Sequence, residues 1–151
     1  MSDIDLISLY SGTILALAAN IPHLGRLEQA QARASRRSPL CGSSLSVEVS
    51  LDDARSSDPQ VAAFAQEVRA CALGQASAAI LGQSVIGQSL SQLRRARSEL
   101  AEMLAANGPA PQPPFEGYEV LRAAHAFANR HASILLALDA TLAAIESAQS
   151  A

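Results

Sequence analysis

Between Ser44 and Leu51 the sequence alternates without a break, with Leu45, Val47, Val49 and Leu51 at one set of positions and Ser44, Ser46, Glu48 and Ser50 at the other. A period of two predicts a half-buried strand. Asp52-Asp53 through Asp58-Pro59 supplies turn residues, and Val61 to Ala70 resumes an extended pattern that includes Phe64 and Val68. The two runs read as a hairpin, and the polar stretch Glu28 to Arg37 as an edge strand beside it. Elsewhere the period is helical. Over residues 4–19, Ile7, Tyr10, Ile14 and Leu17 recur at spacings of three and four, with Ser2 as N-cap and an end near Asn20-Ile21-Pro22. Ser89-Leu90-Ser91-Gln92 is a capping-box pattern that opens a helix turning Leu90, Leu93, Leu100, Met103 and Leu104 inward, and Asn107-Gly108-Pro109 stops it. The Pro-rich run Gly108 to Pro114 suits neither helix nor sheet, and a short helical piece from Val120 to Ala126 leads to a last helix from about Arg130 to Ala148, burying Ile134, Leu138, Leu142 and Ile145. No internal repeat is seen.

At 151 residues the chain reads as one domain, residues 1–151, long enough to bury a core. Nearly half of it is apolar, but Ala and Leu dominate and Trp is missing, so helices with small contacts should build most of that core. The expected class is α+β, a small antiparallel three-stranded sheet packed against four to five helices. A net charge of −3 argues against a nucleic-acid partner, which would require clustered positive charge. No uncharged apolar segment approaches the length of a membrane span, and Asp3 and Asp5 interrupt the first apolar run, so the chain reads as cytoplasmic with no membrane partner.

Chemistry concentrates at two thiols, Cys41 and Cys71. Cys71 ends the second strand-like run, and Ala72-Leu73-Gly74-Gln75-Ala76-Ser77 continues as a helix of small residues. The thiol then sits at the first helical turn, where the partial positive charge of the helix N-terminus favours thiolate. Antiparallel pairing of the hairpin places Cys41, just before its first strand, at the same end of the sheet. In a reducing compartment such a pair is reactive, ligating or simply buried. Without a Cys-x-x-Cys motif or a base beside the thiol, a thiol enzyme with Cys71 as nucleophile is the weakest reading. His23 reads as a turn residue and His125 as part of the short helix, while Arg36-Arg37 lies close before Cys41. Arg94, Arg95 and Arg97 with Glu99 and Glu102 read most simply as a solvated helix face, with docking of an acidic partner as the alternative, and Gly74 and Gly82 as sites of close helix–sheet packing or a functional hinge.

Taken in order, these pieces resemble the U-type iron–sulfur cluster assembly scaffolds, a family that includes IscU, SufU and the N-terminal domain of NifU. Tyr10-Ser11 followed by Asn20, Pro22 and Gly25 is similar to the family's N-terminal pattern, with the proline shifted by one. Cys41-Gly42-Ser43 matches a Cys-Gly-Asp loop in two of three positions, and Cys71 to Ser77 matches the second cysteine and its helix. Phe127 to Leu135 resembles the segment that carries the third cysteine. The family's third cysteine is missing, and Ser43 stands where the aspartate would be. Aligned on His-x-Ser-Ile-Leu, His131 falls on a histidine that some members carry and Ala132 on the cysteine; aligned on Phe-x-x-Arg, Ser133 falls on the cysteine. The Leu-Pro-Pro-Val-Lys chaperone motif of the IscU branch is absent.

The resemblance implies a SufE/NifU-like fold and a non-enzymatic scaffold. In that reading Cys41 and Cys71, with His131 as a third metal ligand, hold iron, zinc or a nascent iron–sulfur cluster, or the two thiols accept persulfide sulfur. The implied partners are a cysteine desulfurase and iron–sulfur acceptor proteins. A cluster on so few ligands is expected to be labile, or shared across a homodimer. The alternative is a degenerate member that has lost cluster assembly and serves as a regulatory or interaction module for the desulfurase.

Overall fold

The computed structural model describes residues 10–40 and 42–150. Its sheet has three antiparallel strands in the order β1 (Ala32–Arg37), β2 (Ser44–Leu51) and β3 (Val61–Arg69). The α-helices among the described residues are α1 (Gly12–Ala19), α2 (Ala72–Ser84), α3 (Leu90–Ala106) and α4 (His131–Ser150), with 3₁₀ segments at Glu116–Ala126 and Ala128–Arg130. This is the expected α+β class.

The alternation in β2 fixes which face is buried. Leu45, Val47 and Val49 pair across β3 with Val68, Gln66 and Phe64, and across β1 with Arg36, Ala34 and Ala32. A register shift between Ser50 and Leu51 then brings Val61 opposite Leu51, keeping both in the core. On the inner side α4 packs across β1 and β2 and against α2 and α3, while α1 lies on α2. The outer side is polar and cross-linked, with Arg33 Nη1 3.2 Å from Glu48 and 3.0 Å from Glu67, and Arg26 Nε 3.3 Å from Glu67. The hydrogen bond from Arg33, followed by the nearby Arg26 charge, holds the Glu67 carboxyl below its ordinary range. The outer edge of β3 is covered by residues 23–25: Gln66 N donates to His23 O and Gly25 N to Gln66 O, each at 2.9 Å.

Two expectations change. The first helix does not run unbroken from residue 4. Residues 1–9, including the Ser2 cap, lie outside the described residues, and Tyr10 is a turn. The described helix starts at Gly12 because the Ser11 hydroxyl accepts the Ile14 N–H at 3.4 Å and acts as the N-cap. The face Arg94–Arg97 is also more than solvated. Arg97 reaches Asp139 at 2.9 Å and Arg94 reaches Glu146 at 3.5 Å, both across to α4, while only Arg95–Glu99 stays within α3.

The last helix, with the 3₁₀ turn before it, spans Ala128–Ser150 and is long and apolar enough to cross a membrane, although 56% of its most apolar stretch is buried inside the protein. Its apolarity serves the core, where Ile134, Leu138, Ala144 and Ile145 are fully buried. Phe115 and Tyr118 anchor the irregular region after the Pro-rich connector, each almost wholly buried.

Candidate functional site

The hairpin register that pairs Ser44 with Arg69 puts the entrance of β2 and the exit of β3 at one end of the sheet. On the β2 side, Ser38 N donates to Ser43 O at 2.8 Å and Gly42 N to Ser38 O at 2.9 Å. Gly42 has φ +73°, which L residues rarely adopt, so the turn calls for glycine. On the β3 side the chain leaves the sheet after Arg69, and Cys71 becomes the N-cap of α2 with φ −66° and ψ 170°. Its carbonyl accepts Gln75 N at 2.9 Å, so the first helical hydrogen bond starts there.

The thiol itself makes no capping bond to the helix. Cys71 Sγ lies 3.4 Å from Ser133 Oγ, and Ser133 Oγ lies 3.2 Å from Ser43 Oγ. Ser133 and Ser43 are 1% and 3% exposed, whereas Cys71 is half-buried, so two sequestered hydroxyls back a thiol that solvent can reach. Three separate elements meet here: the loop before β2, the start of α2 and the first turn of α4.

Gly74 makes that meeting possible. A Cβ at this position would sit 2.7 Å from Ser133 Oγ and 2.8 Å from the Ala70 Cβ, closer than side chains tolerate. The expected helix–sheet role for Gly74 is therefore corrected to close approach between α2 and the start of α4. A Cβ at Gly82 would lie 3.0 Å from the Gln66 side-chain nitrogen and 3.3 Å from Pro22, so this glycine lets α2 come close to both the sheet and the segment after α1. One turn beyond Gly74, Ser77 Oγ donates to Ile134 O at 2.6 Å and lies 3.1 Å from the Tyr118 hydroxyl, which donates to Ser77 O at 3.0 Å. Burial raises the Tyr118 phenol well above its ordinary value. This lock between α2 and α4 was not foreseen; a Tyr in an irregular segment carries no local signal of its distant partner.

The histidines are placed as follows. His131 Nε2 is 2.8 Å from Ala124 O, so that nitrogen donates to the 3₁₀ segment and Nδ1 is left for other partners. His125 Nδ1 is 2.8 Å from Leu104 O, and His23 packs edge-on against Phe64 with ring centres 6.0 Å apart. Position 41 lies outside the described residues, between the placed Leu40 and Gly42. Among the described residues no group of three or more His, Cys, Asp or Glu side chains stands close enough to hold a metal ion. The described donors beside Cys71 are two hydroxyls bonded to each other, and structural zinc sites use thiolate, imidazole or carboxylate. A metal at this point would draw on Cys41, on His131 or on groups from a second molecule.

A small antiparallel sheet backed by helices, with a cysteine at a helix N-cap facing the loop that enters the neighbouring strand, defines the class of U-type iron–sulfur scaffold domains. Residues 9–146 match the family of the NifU-like N-terminal domain, and the chain belongs to that family. The crystal structure of a nitrogen-fixing NifU-like protein (N-terminal) from Brucella abortus is 36% identical and superposes with a TM-score of 0.89, covering 97% of this chain and 98% of that one. Two more distant structures share the fold. One, described only as a hypothetical protein, is 20% identical with a TM-score of 0.77, covering 97% of this chain and 99% of that one. The other, described as an iron–sulfur cluster assembly scaffold protein for the SUF system from Fervidobacterium islandicum AW-1, is 16% identical with a TM-score of 0.76, covering 91% and 96%. No curated protein sequence matches the chain.

Proposed function

We propose that this protein is a non-enzymatic scaffold or carrier of iron–sulfur cluster assembly that works through the thiols of Cys71 and Cys41. Membership of the NifU-like N-terminal family supports the setting. The observation that carries the reading is the half-buried Cys71 thiol, 3.4 Å from a hydroxyl and at the meeting point of three elements. A thiol so placed suits sulfur acceptance from a cysteine desulfurase. The Cys71 thiolate attacks the outer sulfur of the desulfurase's cysteine persulfide. A new S–S bond forms on Cys71, the old one breaks, and the desulfurase cysteine leaves as thiolate, with no external oxidant or reductant needed. The Ser133 hydroxyl, already at the sulfur, donates a hydrogen bond to it during the exchange. Iron or zinc, as cargo, is held by the Cys41 and Cys71 thiolates with His131 as third ligand, and the assembled cluster passes to acceptor proteins. A cluster so held is labile or bridges two copies of the chain.

A second reading has its own observation. Ser43 and Ser133 bond to each other beside the thiol, and neither supplies a soft ligand. This favours a member that binds the desulfurase as a regulatory module without building clusters. Anaerobic reconstitution with iron and sulfide separates the two. A visible chromophore that is lost in Cys71→Ala supports the scaffold, and a colourless protein supports the module. Sulfur transfer is tested with a desulfurase and radiolabelled cysteine, with label on Cys71 expected and its absence from both cysteines ruling out the carrier role.

A further inference from the structure

All eleven basic residues of this chain are arginines. Six of them, Arg26, Arg33, Arg94, Arg95, Arg97 and Arg122, are in ion pairs. Of the five that make no ion pair among the described residues, Arg55 sits in the β2–β3 turn at the far end of the hairpin, and the other four gather at the thiol rim. Arg36 and Arg37 close β1, Arg69 closes β3 two residues before Cys71, and Arg130 directly precedes α4. Arg37 and Arg69 flank Ser44 in register on the same rung of the sheet. A chain of net charge −3 has thus concentrated its uncompensated positive charge around its candidate site.

Arg36 and Arg37 also border a groove of about 410 Å³ between the end of β1 and the first turns of α4. Pro39, Leu135 and Leu136 give it apolar walls, and its only carboxylate, Asp139, is engaged by Arg97 at 2.9 Å. Ser38, 1% exposed, also lines the groove, and its buried hydroxyl has no hydrogen-bond partner among the described residues. Leu40, 75% exposed, projects from the same loop.

We infer that this groove and its arginines form the docking surface for an acidic, partly apolar segment of the sulfur-donating protein. Guanidinium groups pair bidentately with carboxylates, and the apolar walls take a neighbouring aliphatic or aromatic side chain. Docking here brings the donor's sulfur to the rim on which Cys71 lies. A nucleic acid is the poorer fit, because the positive charge is confined to one concave rim with apolar walls rather than spread along a stripe. The inference rests on the proposed sulfur-accepting function for the identity of the donor, and its test separates the two.

The affinity of a purified cysteine desulfurase for the protein is measured by calorimetry at low and high salt, for the native chain, Arg36→Glu/Arg37→Glu, Arg55→Glu and Cys71→Ala. The double variant should bind about tenfold or more weakly and lose most of its salt dependence, because surface charge pairs are screened by ions. Arg55→Glu, exposed and remote, should bind like the native chain, and Cys71→Ala should bind normally while accepting no sulfur. Native affinity in the double variant, equal weakening by Arg55→Glu, no desulfurase binding at all, or tighter binding of the same face to duplex DNA would each overturn the inference. Arginine-dependent binding without sulfur on either Cys71 or Cys41 would uphold the docking surface and sink the carrier function instead.

Discussion

Helices α2 and α3 follow one another in the chain and are held by opposite means. Along α2, Leu73, Gly74 and every residue from Ala76 to Gly82 are buried, its N-cap makes no side-chain capping bond, and its first turn has no acidic residue. Along α3 a full capping box opens the helix, Asn107 closes it in the left-handed conformation, and buried positions recur only on one side. Asp58 adds a second clamp at its start, accepting Ser91 N and Ser91 Oγ at 2.7 Å each. α3 carries its own start and stop signals. α2 is held in place by its surroundings, with the end of β3, α1, α4 and the Tyr118 segment enclosing it. The residue that starts this wholly tertiary helix is the candidate thiol, so the geometry of the site depends on packing far more than on local sequence.

That contrast orders the expected effects. Gly74→Val should be the most damaging change, destabilising by about 3 kcal/mol in urea unfolding, because its side chain must displace Ser133 or Ala70; it should also slow alkylation of Cys71 or alter its rate, since Ser133 moves. Tyr118→Phe should cost about 1–2 kcal/mol through the lost bond to Ser77 O. It should also change the alkaline limb. The buried phenol has a raised folded pKa, so its stabilisation is complete below the ordinary tyrosine value of 10.0 and declines as pH climbs from there. Thermal unfolding above that pH should fall more steeply in the native protein than in the variant. Ser89→Ala should cost about 1 kcal/mol, confined to the loss of a cap. Asp58→Asn should have the smallest effect, and on the acid side. Hydrogen bonds from the Ser91 hydroxyl and backbone depress the Asp58 carboxyl, so its contribution is present above the unfolded pKa and lost as pH falls through the folded one. The difference in melting temperature between native and Asp58→Asn proteins should vanish in strong acid; a difference that persists there would show that the charge is not its source.

The same contrast explains what could be read from the chain beforehand. β2 was legible to the residue, because alternation over Ser44–Leu51 is a local statement about two faces. The α3 boundaries were equally plain, since Ser89, Gln92 and Asn107 are local signals. The polar stretch expected as an edge strand from Glu28 is regular only from Ala32, where pairing with Val49 begins. The irregular region was shorter in expectation than in fact, because 3₁₀ turns at Glu116–Ala126 are fixed by burial of Phe115 and Tyr118 rather than by a repeating pattern. At the site, the resemblance left two alignments around His131 and Ser133. The fold places Ser133 inward beside Cys71, with Ala132 exposed on the groove and the Nε2 of His131 bonded to Ala124. Nothing in a run of small residues could have said that Gly74 was needed for Ser133 rather than for the sheet.

Among the described residues no strand pairs with the outer side of β1. Strand edges are where proteins tend to stack into aggregates, and this one ends in Arg36 and Arg37, neither in an ion pair among the described residues. Two identical chains approaching edge to edge would bring like charges together, so the strand repels its own copy while remaining open to an oppositely charged one. Selectivity against self-polymerisation is thereby written into the same short segment that borders the thiol rim.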